Sequence, residues 1–410
     1  MNPESGERRL RILFVGMPQS IHVVRWTRQL LGQDWDLHLF PVDDAWVNEE
    51  FRGITVHGSL HARHHAADES VRFLDDWWPW MPRNGRPFPR DFFRARRFAQ
   101  RFLPLWRNRA ARLARCIERT KPDIIHSLEL QHSAYLTDDA RKLVRGRWPT
   151  WIVTNWGSDI YLFGRFPEHA ARIRAILESC DYYSCEAERD VALGREFGFK
   201  GEVLPVMPNT GGFDLAAMRA LRQPGPTSAR RAIVLKGYQH WAGRALVGVR
   251  ALRMAADALK GYRILTYAAF PDVELSARLL GIETGLDVRV IPPAPHEDIL
   301  KLHGQARMSI GLSISDGIST SFLEALVMGS FPIQSNTSTG NEWIRDGETG
   351  ILVPPEDPEP IAAAIRRAVT DDALVDRAAE INAATASARL DADLLRKKAV
   401  AMYRGIRIRP

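Results

Sequence analysis

The sequence predicts an α/β protein with two doubly wound, Rossmann-like parallel sheets, one in each of two domains. The chain has 410 residues, of which 45% are hydrophobic, so it is long enough for two cores of ordinary size. In both halves, short apolar runs alternate with stretches of helical periodicity, as strands and crossover helices do. A segment rich in proline and turn formers, Arg222 to Ser228, divides the halves. We therefore expect an N-terminal domain over residues 1–220, a linker over 221–230, a second domain over 231–390 and a C-terminal segment over 391–410.

The first half opens as a strand, a helix and a strand. The apolar run Arg11 to Gly16 predicts a buried parallel strand, and a helical stretch follows at residues 21–30. Ligands of doubly wound sheets bind at the carboxyl ends of the strands, which is where Gly16 lies. A glycine at this point either lets a ligand approach the backbone closely or only shapes the turn.

Two later strands of the first half end in polar residues. The run Pro122 to Ser127 contains His126, and the run Trp151 to Ile160 contains Trp156 and Asp159. For His126, a structural role and contact with a substrate both stay open.

The second half begins with the strand Ala232 to Gly237, and a helix is expected from about residue 245 to residue 259. Two cations, Lys236 and Arg244, lie on the loop that connects them. Such cations can neutralise the charge that develops on a leaving diphosphate, and arginine can bond two oxygens at once. The alternative is that both are solvated loop cations.

The stretch Ser313 to Glu324 predicts a strand-to-helix junction suited to an anion. Its polar and glycine positions are Asp316, Gly317, Ser319, Thr320 and Glu324. A helix start presents unpaired N–H groups and a positive dipole end, and glycine lets a ligand approach the backbone. The alternative is that the first acid and Ser319 only cap the helix and that Glu324 is a solvated helix residue.

Two motifs follow each other in this region: D-G-I-S-T-S-F-L-E-A-L-V-M-G-S-F-P at residues 316–332 and D-G-E-T-G-I-L-V-P-P at residues 346–355. They resemble the C-terminal half of the GT-B glycosyltransferases of family 4, whose signature has two acids with seven residues between them, then E-A-x-x-x-G-x-P and D-G-x-T-G-x-L-V-P. The first acid is Asp316, where the family usually has glutamate. In the first half, P-D-I-I-H at residues 122–126 and W-G-S-D at residues 156–159 are similar to the family's P-D-x-x-H and H-G-S-D segments.

The resemblance implies a GT-B architecture, in which two Rossmann-like domains face each other across a cleft and a C-terminal helix crosses back to the first domain. It implies a retaining glycosyltransferase that moves a hexosyl group from a nucleotide diphosphate sugar to a glycan or lipid-linked acceptor. We expect a role in bacterial surface polysaccharide or glycoconjugate biosynthesis. Two alternatives stay open: a nucleotide-sugar epimerase of the same architecture and a non-catalytic protein that binds sugar nucleotides.

The resemblance also gives each candidate position a task. Lys236 and Arg244 would hold the diphosphate, and Asp316 would hydrogen-bond hydroxyl groups of the donor sugar. Glu324 would accept hydrogen bonds from the ribose hydroxyl groups. Backbone amides and close backbone approach would complete the donor site at Gly16, Gly317, Ser319 and Thr320.

The acceptor side, or the orientation of the site, is assigned to Asp159, Trp156 and His126. Trp156 stands where many family members carry a histidine close to the reacting sugar, so that histidine's role does not transfer. No divalent-metal motif is evident in the sequence. We therefore expect no metal and no further cofactor, with cationic side chains and the helix dipole neutralising the charge of the leaving group.

The formal net charge is +7, which suits phosphate-bearing substrates, an anionic membrane surface or nucleic acid. Arginine and aromatic residues are interleaved over residues 77–119. This segment predicts either contact with an anionic membrane surface or a core helix with a solvated basic face. No recognition motif of the known nucleic-acid-binding folds accompanies the charge, so we expect no nucleic-acid partner.

The sequence shows no uninterrupted apolar run of eighteen or more residues, and its first residues lack the apolar core of a signal peptide. We expect a cytoplasmic protein, either free or peripheral at the inner face of the cell membrane. The three cysteines, Cys116, Cys180 and Cys185, are too few for a disulfide framework and are expected to be buried, reduced thiols.

Overall fold

The structure, a computed structural model, describes residues 9–43, 45–58, 68–75 and 108–409. Contacts between residues divide the chain into two compact units. The first unit contains the described residues up to 186, with residues 190–211 and 396–409. The second unit contains residues 187–189 and 212–395.

The first unit is built on an eight-stranded sheet. Its strands are β1 (Arg11–Gly16), β2 (Asp36–Pro41), β3 (Thr55–Gly58), β4 (Arg72–Asp75), β5 (Ile124–Leu128), β6 (Thr150–Thr154), β7 (Tyr182–Ser184) and β8 (Glu202–Val203). They are ordered β4-β3-β2-β1-β5-β6-β7-β8, and each neighbouring pair is parallel. Every residue of β5 and β6 is buried, as expected for central strands of a parallel sheet with both faces covered.

Helices connect these strands. They are α1 (Ile21–Arg28), α2 (Arg109–Thr120), α3 (Tyr135–Arg141), α4 (Ser158–Tyr161), α5 (Pro167–Leu177) and α6 (Glu188–Glu196), with a π-helical turn at Leu130–Ala134 and a 3-10 helix at Phe163–Arg165. The starts of α1 and α2 are set by polar caps: the Ser20 hydroxyl accepts from His22 N at 3.2 Å, and the Asn108 side chain accepts from Ala111 N at 3.0 Å. Such caps satisfy backbone donors that have no partner inside the helix.

The second unit contains a six-stranded sheet, ordered β11-β10-β9-β12-β13-β14. Its strands are β9 (Ala232–Lys236), β10 (Arg263–Tyr267), β11 (Asp287–Val290), β12 (Ala306–Gly311), β13 (Phe331–Ser335) and β14 (Ile351–Val353). All the neighbouring pairs are parallel. The fold class predicted from the sequence, two α/β units that each contain a parallel sheet, is confirmed.

The remaining helices are α7 (Leu215–Ala220), α8 (Ala245–Met254), α9 (Pro271–Thr284), α10 (His296–Gln305), α11 (Thr320–Met328), α12 (Pro358–Thr370), α13 (Asp372–Arg389) and α14 (Ala392–Gly405). Short 3-10 helices lie at Thr227–Ala229, Ala256–Leu259 and Gly340–Glu342. Gly329 ends α11 in the left-handed conformation, with φ at 71°, which glycine adopts without steric cost.

The segment predicted as a linker, residues 221–230, has a different role in the structure. The chain changes units at residues 211–212, and the later segment is bound along the second unit. Thr227 Oγ1 donates to Gly329 O at 2.7 Å, and Ser228 Oγ donates to Asp376 at 2.7 Å. Proline and turn-forming residues mark irregular backbone, but they do not show whether that backbone is held by its neighbours.

Each sheet has a point where the strand order reverses. In the first sheet β1 lies between β2 and β5, and in the second sheet β9 lies between β10 and β12. Loops that leave the carboxyl ends of two such strands separate to opposite faces and leave a crevice for a ligand. Gly16 ends β1 and Lys236 ends β9, so each of these predicted residues lies at the switch point of its own sheet.

Most of the segment predicted to contact a membrane, residues 77–107, lies outside the described residues, and α2 occupies the rest. Among the helices that the structure describes, none has the length and apolar character needed to cross a membrane. The three cysteines are buried and form no disulfide.

Candidate active site

Lys236 brings the end of β9 to the start of α11. Its Nζ donates to Ser319 Oγ at 3.2 Å and lies 4.3 Å from the centre of the Tyr238 ring. Ser319 occupies the N-cap position of α11, but its side chain makes no capping bond there. Its hydroxyl instead meets the lysine and, at 2.8 Å, Ser321 Oγ. The structure therefore joins the predicted cation to the predicted helix start, whose first residue is Thr320.

Asp316 lies on the loop between β12 and α11 and is partly buried. Burial raises the pKa of its carboxyl group, while the positive charge of Lys236 and a hydrogen bond from the Gly317 backbone oppose that rise. The Gly317 carbonyl accepts from Thr339 N at 3.0 Å and from Thr339 Oγ1 at 2.9 Å. The loop is thus anchored through its glycine, and the carboxyl group beside an ammonium can accept hydrogen bonds from ligand hydroxyl groups.

Glu324 lies inside α11 and is 4% exposed, so it is not the solvated helix residue of the alternative interpretation. His296, the first residue of α10, meets it: Nε2 of His296 lies 2.6 Å from Oε1 of Glu324. The first acid, Asp316, precedes the helix as predicted, and the second lies more than one turn inside it.

Arg244, predicted to bind the diphosphate, is engaged by protein groups. Its Nε donates to Glu356 Oε1 at 3.0 Å, and its NH1 donates to the carbonyl oxygens of Gly243 at 2.9 Å and Trp241 at 3.3 Å. An arginine with these bonds must give up at least one of them to bind a phosphate with both arms. Lys236 is therefore the better-placed cation of the two.

His240 lies between these two cations in the sequence and was not predicted as a site residue. Burial lowers the pKa of its imidazole, the positive charges of Lys236 and Arg244 lower it further, and Asp316 opposes them. Its Nδ1 accepts from Ala242 N at 3.1 Å. This residue is a neutral side chain that shapes the cationic loop.

In the first unit, His126 is fully buried, and its two ring nitrogens are used inside the protein. Trp26 Nε1 donates to the Tyr403 hydroxyl at 2.8 Å, which leaves that hydroxyl to donate to His126 Nδ1 at 2.5 Å. His126 Nε2 then donates to Thr154 Oγ1 at 2.5 Å. Burial lowers the pKa of His126 to about 3, so the ring is neutral. Of the two roles left open for His126, these contacts favour the structural one over contact with a substrate.

Gly16 is also explained by packing. A Cβ added at Gly16 would lie 3.2 Å from Cγ2 of Val23 and 3.7 Å from Cβ of Leu128. The glycine lets α1 approach β1 closely, which agrees with the interpretation that it shapes the turn.

Asp159 and Trp156 lie together after β6. Asp159 Oδ2 accepts from Trp156 N at 2.8 Å and from Leu130 N at 2.9 Å. Burial, together with the nearby negative charge of Glu129, holds the pKa of Asp159 well above its ordinary value. The Trp156 ring is partly buried and meets His22 edge to face, with 5.6 Å between ring centres. Asp159 therefore orients two loops, and Trp156 is the side chain of the pair that a ligand can reach.

A further pair, Glu129 and His132, follows β5. Glu129 has φ 90° and ψ 156°, a conformation found almost only in glycine. Its carboxylate accepts from Ser133 N at 3.1 Å and lies 2.9 Å from His132 Nδ1. This hydrogen bond raises the pKa of His132, whose side chain is 67% exposed.

The sequence offers uneven signals for these additional residues. His240 lies in the sequence between two predicted cations, and this position indicates that it is near the site. His296 opens a helix after a proline-rich loop, but its partner is 28 positions away. The sequence gives no signal for the backbone conformation of Glu129, because a glutamate does not indicate a conformation that is found almost only in glycine.

Two family descriptions match parts of the sequence. Residues 273–385 match the family described as Glycosyl transferases group 1, and residues 89–182 match the family described as Glycosyl transferase 4-like. None of the curated proteins matches the chain by sequence.

Solved structures resemble the chain over nearly its whole length. Sucrose-phosphate synthase from Thermosynechococcus elongatus is 17% identical, with a TM-score of 0.64 over 97% of this chain and 98% of that one. The HepE protein of Anabaena, in complex with UDP-glucose, is 13% identical, with a TM-score of 0.65 over 97% and 100% of the chains. A UDP-forming α,α-trehalose-phosphate synthase from Burkholderia xenovorans is 11% identical, with a TM-score of 0.65 over 97% and 99%. At these identities the likeness concerns the fold.

The two family matches lie in different halves of the sequence, and the match over residues 273–385 includes the helix that carries Glu324. These matches and the shared fold agree with the resemblance to glycosyltransferases that the sequence motifs indicate. The chain has the GT-B fold, and two of its segments match glycosyltransferase families.

Proposed function

We propose that this protein is a retaining glycosyltransferase that moves a sugar from a UDP-sugar to a glycan or lipid-linked acceptor. The observation that carries the proposal is the contact of Lys236 with Ser319 at the N-terminus of α11, with Asp316 beside it. A cation and a helix start together make a site for a diphosphate. Asp316 and Glu324 then supply acceptors for the hydroxyl groups of the sugar and of the ribose.

In the proposed reaction, the bond between the anomeric carbon and the phosphate oxygen breaks, and its electron pair goes to the departing diphosphate. Lys236 and the backbone N–H groups around Ser319 and Thr320 stabilise that charge. The acceptor oxygen bonds to the same face of the anomeric carbon, which retains its configuration. The acceptor proton passes to a phosphate oxygen of the departing nucleotide.

UDP is proposed as the nucleotide because the Anabaena protein forms a complex with UDP-glucose and the Burkholderia synthase is UDP-forming. A metal-independent reaction is proposed because a lysine and a helix N-terminus can neutralise the leaving group. Arg244 would bind phosphate with both arms only after releasing at least one of its bonds to Glu356, Gly243 and Trp241.

On the acceptor side, we assign contact to Trp156 and the orientation of its loop to Asp159, because the indole is partly exposed and the carboxyl group is buried. The setting that we favour is bacterial surface polysaccharide or glycoconjugate synthesis. There, the basic aromatic segment at residues 77–119 would bring the protein to the inner face of the cell membrane.

The proposal is tested by a thermal-shift panel of UDP, GDP, ADP and UDP-glucose, followed by an assay of UDP release from UDP-glucose and other UDP-sugars. UDP should raise the melting temperature, and Lys236→Ala and Asp316→Ala should reduce UDP release while Lys260→Ala, at an exposed lysine of the same unit, should not. Full activity of folded Lys236→Ala and Asp316→Ala variants would refute the site. An epimer formed from the donor alone would favour the epimerase alternative.

A further inference from the structure

His296 stands at the start of α10, directly after the loop that ends in Pro295. The His296 side chain is 48% exposed, whereas the Glu324 side chain that it contacts is 6% exposed. The two residues belong to different helices, and their contact of 2.6 Å is short for a nitrogen-to-oxygen hydrogen bond. A half-exposed imidazole thus contacts a buried carboxylate.

The surroundings of Glu324 explain why this contact matters. Tyr267 and His303 lie close enough for its charge to influence them, and both are neutral. Burial raises the pKa of Tyr267 above its ordinary value, and burial lowers the pKa of His303 to about 4. These two side chains line a small cavity together with Lys236 and Ser321. The buried carboxylate therefore has His296 as a directional donor, beside a cavity lined by neutral side chains and Lys236.

A carboxylate has two oxygens and about four positions at which it can accept a hydrogen bond. When His296 donates to Oε1, it fixes the plane of the Glu324 carboxylate and leaves acceptor positions on both oxygens. A vicinal diol, with two adjacent hydroxyl donors, fits a carboxylate fixed in this way. Without the imidazole, the buried group would lose a partner and its fixed orientation, and both losses weaken recognition of the diol.

We propose that His296 is a positioning residue for the nucleotide, which orients the Glu324 carboxylate to receive the two ribose hydroxyl groups of the donor. The inference rests on the proposed function, because it takes the ligand of Glu324 to be a ribonucleotide. It adds a residue outside the motif that contains Glu324, and it links the loop before α10 to ribose recognition.

The test compares two probes, UDP and 2′,3′-dideoxyuridine diphosphate, which differ only in the ribose hydroxyl groups. Calorimetric titration at pH 8 gives the affinity of each probe for the wild type, His296→Ala, His296→Gln and Glu297→Ala. The last variant changes an exposed neighbour on the same helix and is the matched control. The wild type should prefer UDP by about tenfold or more, since the ribose hydroxyl groups bond to a charged acceptor.

His296→Ala should reduce this preference about fivefold or more. The affinity for UDP should fall, and the affinity for the dideoxy probe should stay nearly unchanged. His296→Gln should recover part of the preference because its amide N–H can donate to Glu324. Glu297→Ala should behave as the wild type. A His296→Ala variant that keeps the full preference for UDP would overturn the inference and leave the proposed function standing.

The failure of the proposed function has a different signature. A wild-type protein that binds neither probe, or binds both equally, would refute the assignment of Glu324 to a ribose, and the inference would fall with it. The contact itself is measured without nucleotide, by comparing the NMR chemical shifts of the His296 ring at pH 8 in the wild type and in Glu324→Ala. Loss of the carboxylate should move the ring resonances, and identical chemical shifts would overturn the pairing.

Discussion

Lys236 and Ser319 are 83 positions apart in the sequence, yet the ammonium nitrogen of the lysine lies 3.2 Å from the hydroxyl oxygen of the serine. Both residues leave the carboxyl edge of the same parallel sheet, where β9 and β12 are neighbours. The contact places a positive charge at the N-terminus of α11, where the helix dipole is also positive. A positive side chain and a positive helix end held together are what a site for an anion requires.

The first prediction concerns this cation. Lys236→Met removes the charge and keeps the apolar stem, so it should weaken UDP binding about 10-fold to 100-fold, as expected for loss of one or more charge-assisted hydrogen bonds. Ser319→Ala should have a smaller effect, about twofold to fivefold, since a neutral bond is lost. Calorimetry with UDP measures both.

Lys260→Met serves as the control because this lysine is exposed and belongs to the same unit. The affinity of the Lys260→Met variant for UDP should equal that of the wild type. If Lys236→Met bound UDP as well as the control does, the lysine would have no part in the nucleotide site.

The features that the sequence predicted well are those with a local signal. Each predicted strand around Lys236 and Asp316 is a short apolar run, and the order of such runs determines which carboxyl ends meet at a switch point. The spacing from Asp316 to Glu324 then places both acids at one helix. The shape of this part of the site was predictable because it depends on strand order and a single helix.

Other features depend on tertiary contacts that leave no local pattern. The imidazole of His126 could not be recognised as structural from its strand, because its partner Tyr403 is 277 positions away. In the sequence Arg244 is equivalent to Lys236, and its bonds to Glu356, Gly243 and Trp241 separate the two in the structure. Long side chains at a loop have several partners within reach, so sequence alone does not determine which one they use.

The second prediction concerns pH. Burial raises the pKa of Asp316 in the folded protein above its ordinary value of 3.8, so the folded state binds this proton more tightly than the unfolded state does. The cost of ionising this carboxyl group therefore grows as the pH rises from 3.8 to the raised pKa, and it is complete above the raised pKa. Asp316→Asn should be more stable than the wild type at pH 8, and the difference should shrink as the pH falls towards the ordinary value.

Thermal unfolding of both proteins from pH 5 to pH 8 checks this expectation, and a UDP-release assay run in parallel should show that the more stable variant is less active. A stability difference that grows as the pH falls would contradict the sign of the shift. Such an exchange of stability for function is common at binding sites.

The third prediction concerns the buried hydrogen bonds around Tyr403. Its hydroxyl accepts from Trp26 and donates to His126, so Tyr403→Phe leaves a buried indole N–H without its acceptor and a buried ring nitrogen without its donor. Each orphaned group costs about 1–3 kcal/mol. The variant should therefore unfold at a clearly lower temperature.

Tyr161→Phe, at a partly exposed tyrosine of the same unit, is the matched comparison and should change the melting temperature little, because water can replace the lost bond. Equal effects of the two substitutions would mean that the hydrogen bonds to Tyr403 do not stabilise the fold. At a temperature where the Tyr403→Phe variant is fully folded, its affinity for UDP should equal that of the wild type, because the hydrogen bonds of Tyr403 lie inside the protein.

The fourth prediction uses the backbone of Glu129, whose φ of 90° and ψ of 156° are costly for any residue with a Cβ, by about 1–3 kcal/mol. The residue persists there because its carboxylate holds Ser133 N and the imidazole of His132. Glu129→Ala loses these bonds and keeps the strained backbone, whereas Glu129→Gly loses the same bonds and relieves the strain. Glycine should therefore be more stable than alanine here by about 1 kcal/mol.

Urea unfolding of the two variants measures the difference, and the same pair of substitutions at Arg115 is the control. Arg115 is an exposed residue within α2, where glycine should be less stable than alanine by about 1 kcal/mol. The sign of the difference should thus be opposite at the two positions. If alanine were the more stable residue at both, the strain at Glu129 would not be real, and the cap would be a sufficient reason for a glutamate at this strand end.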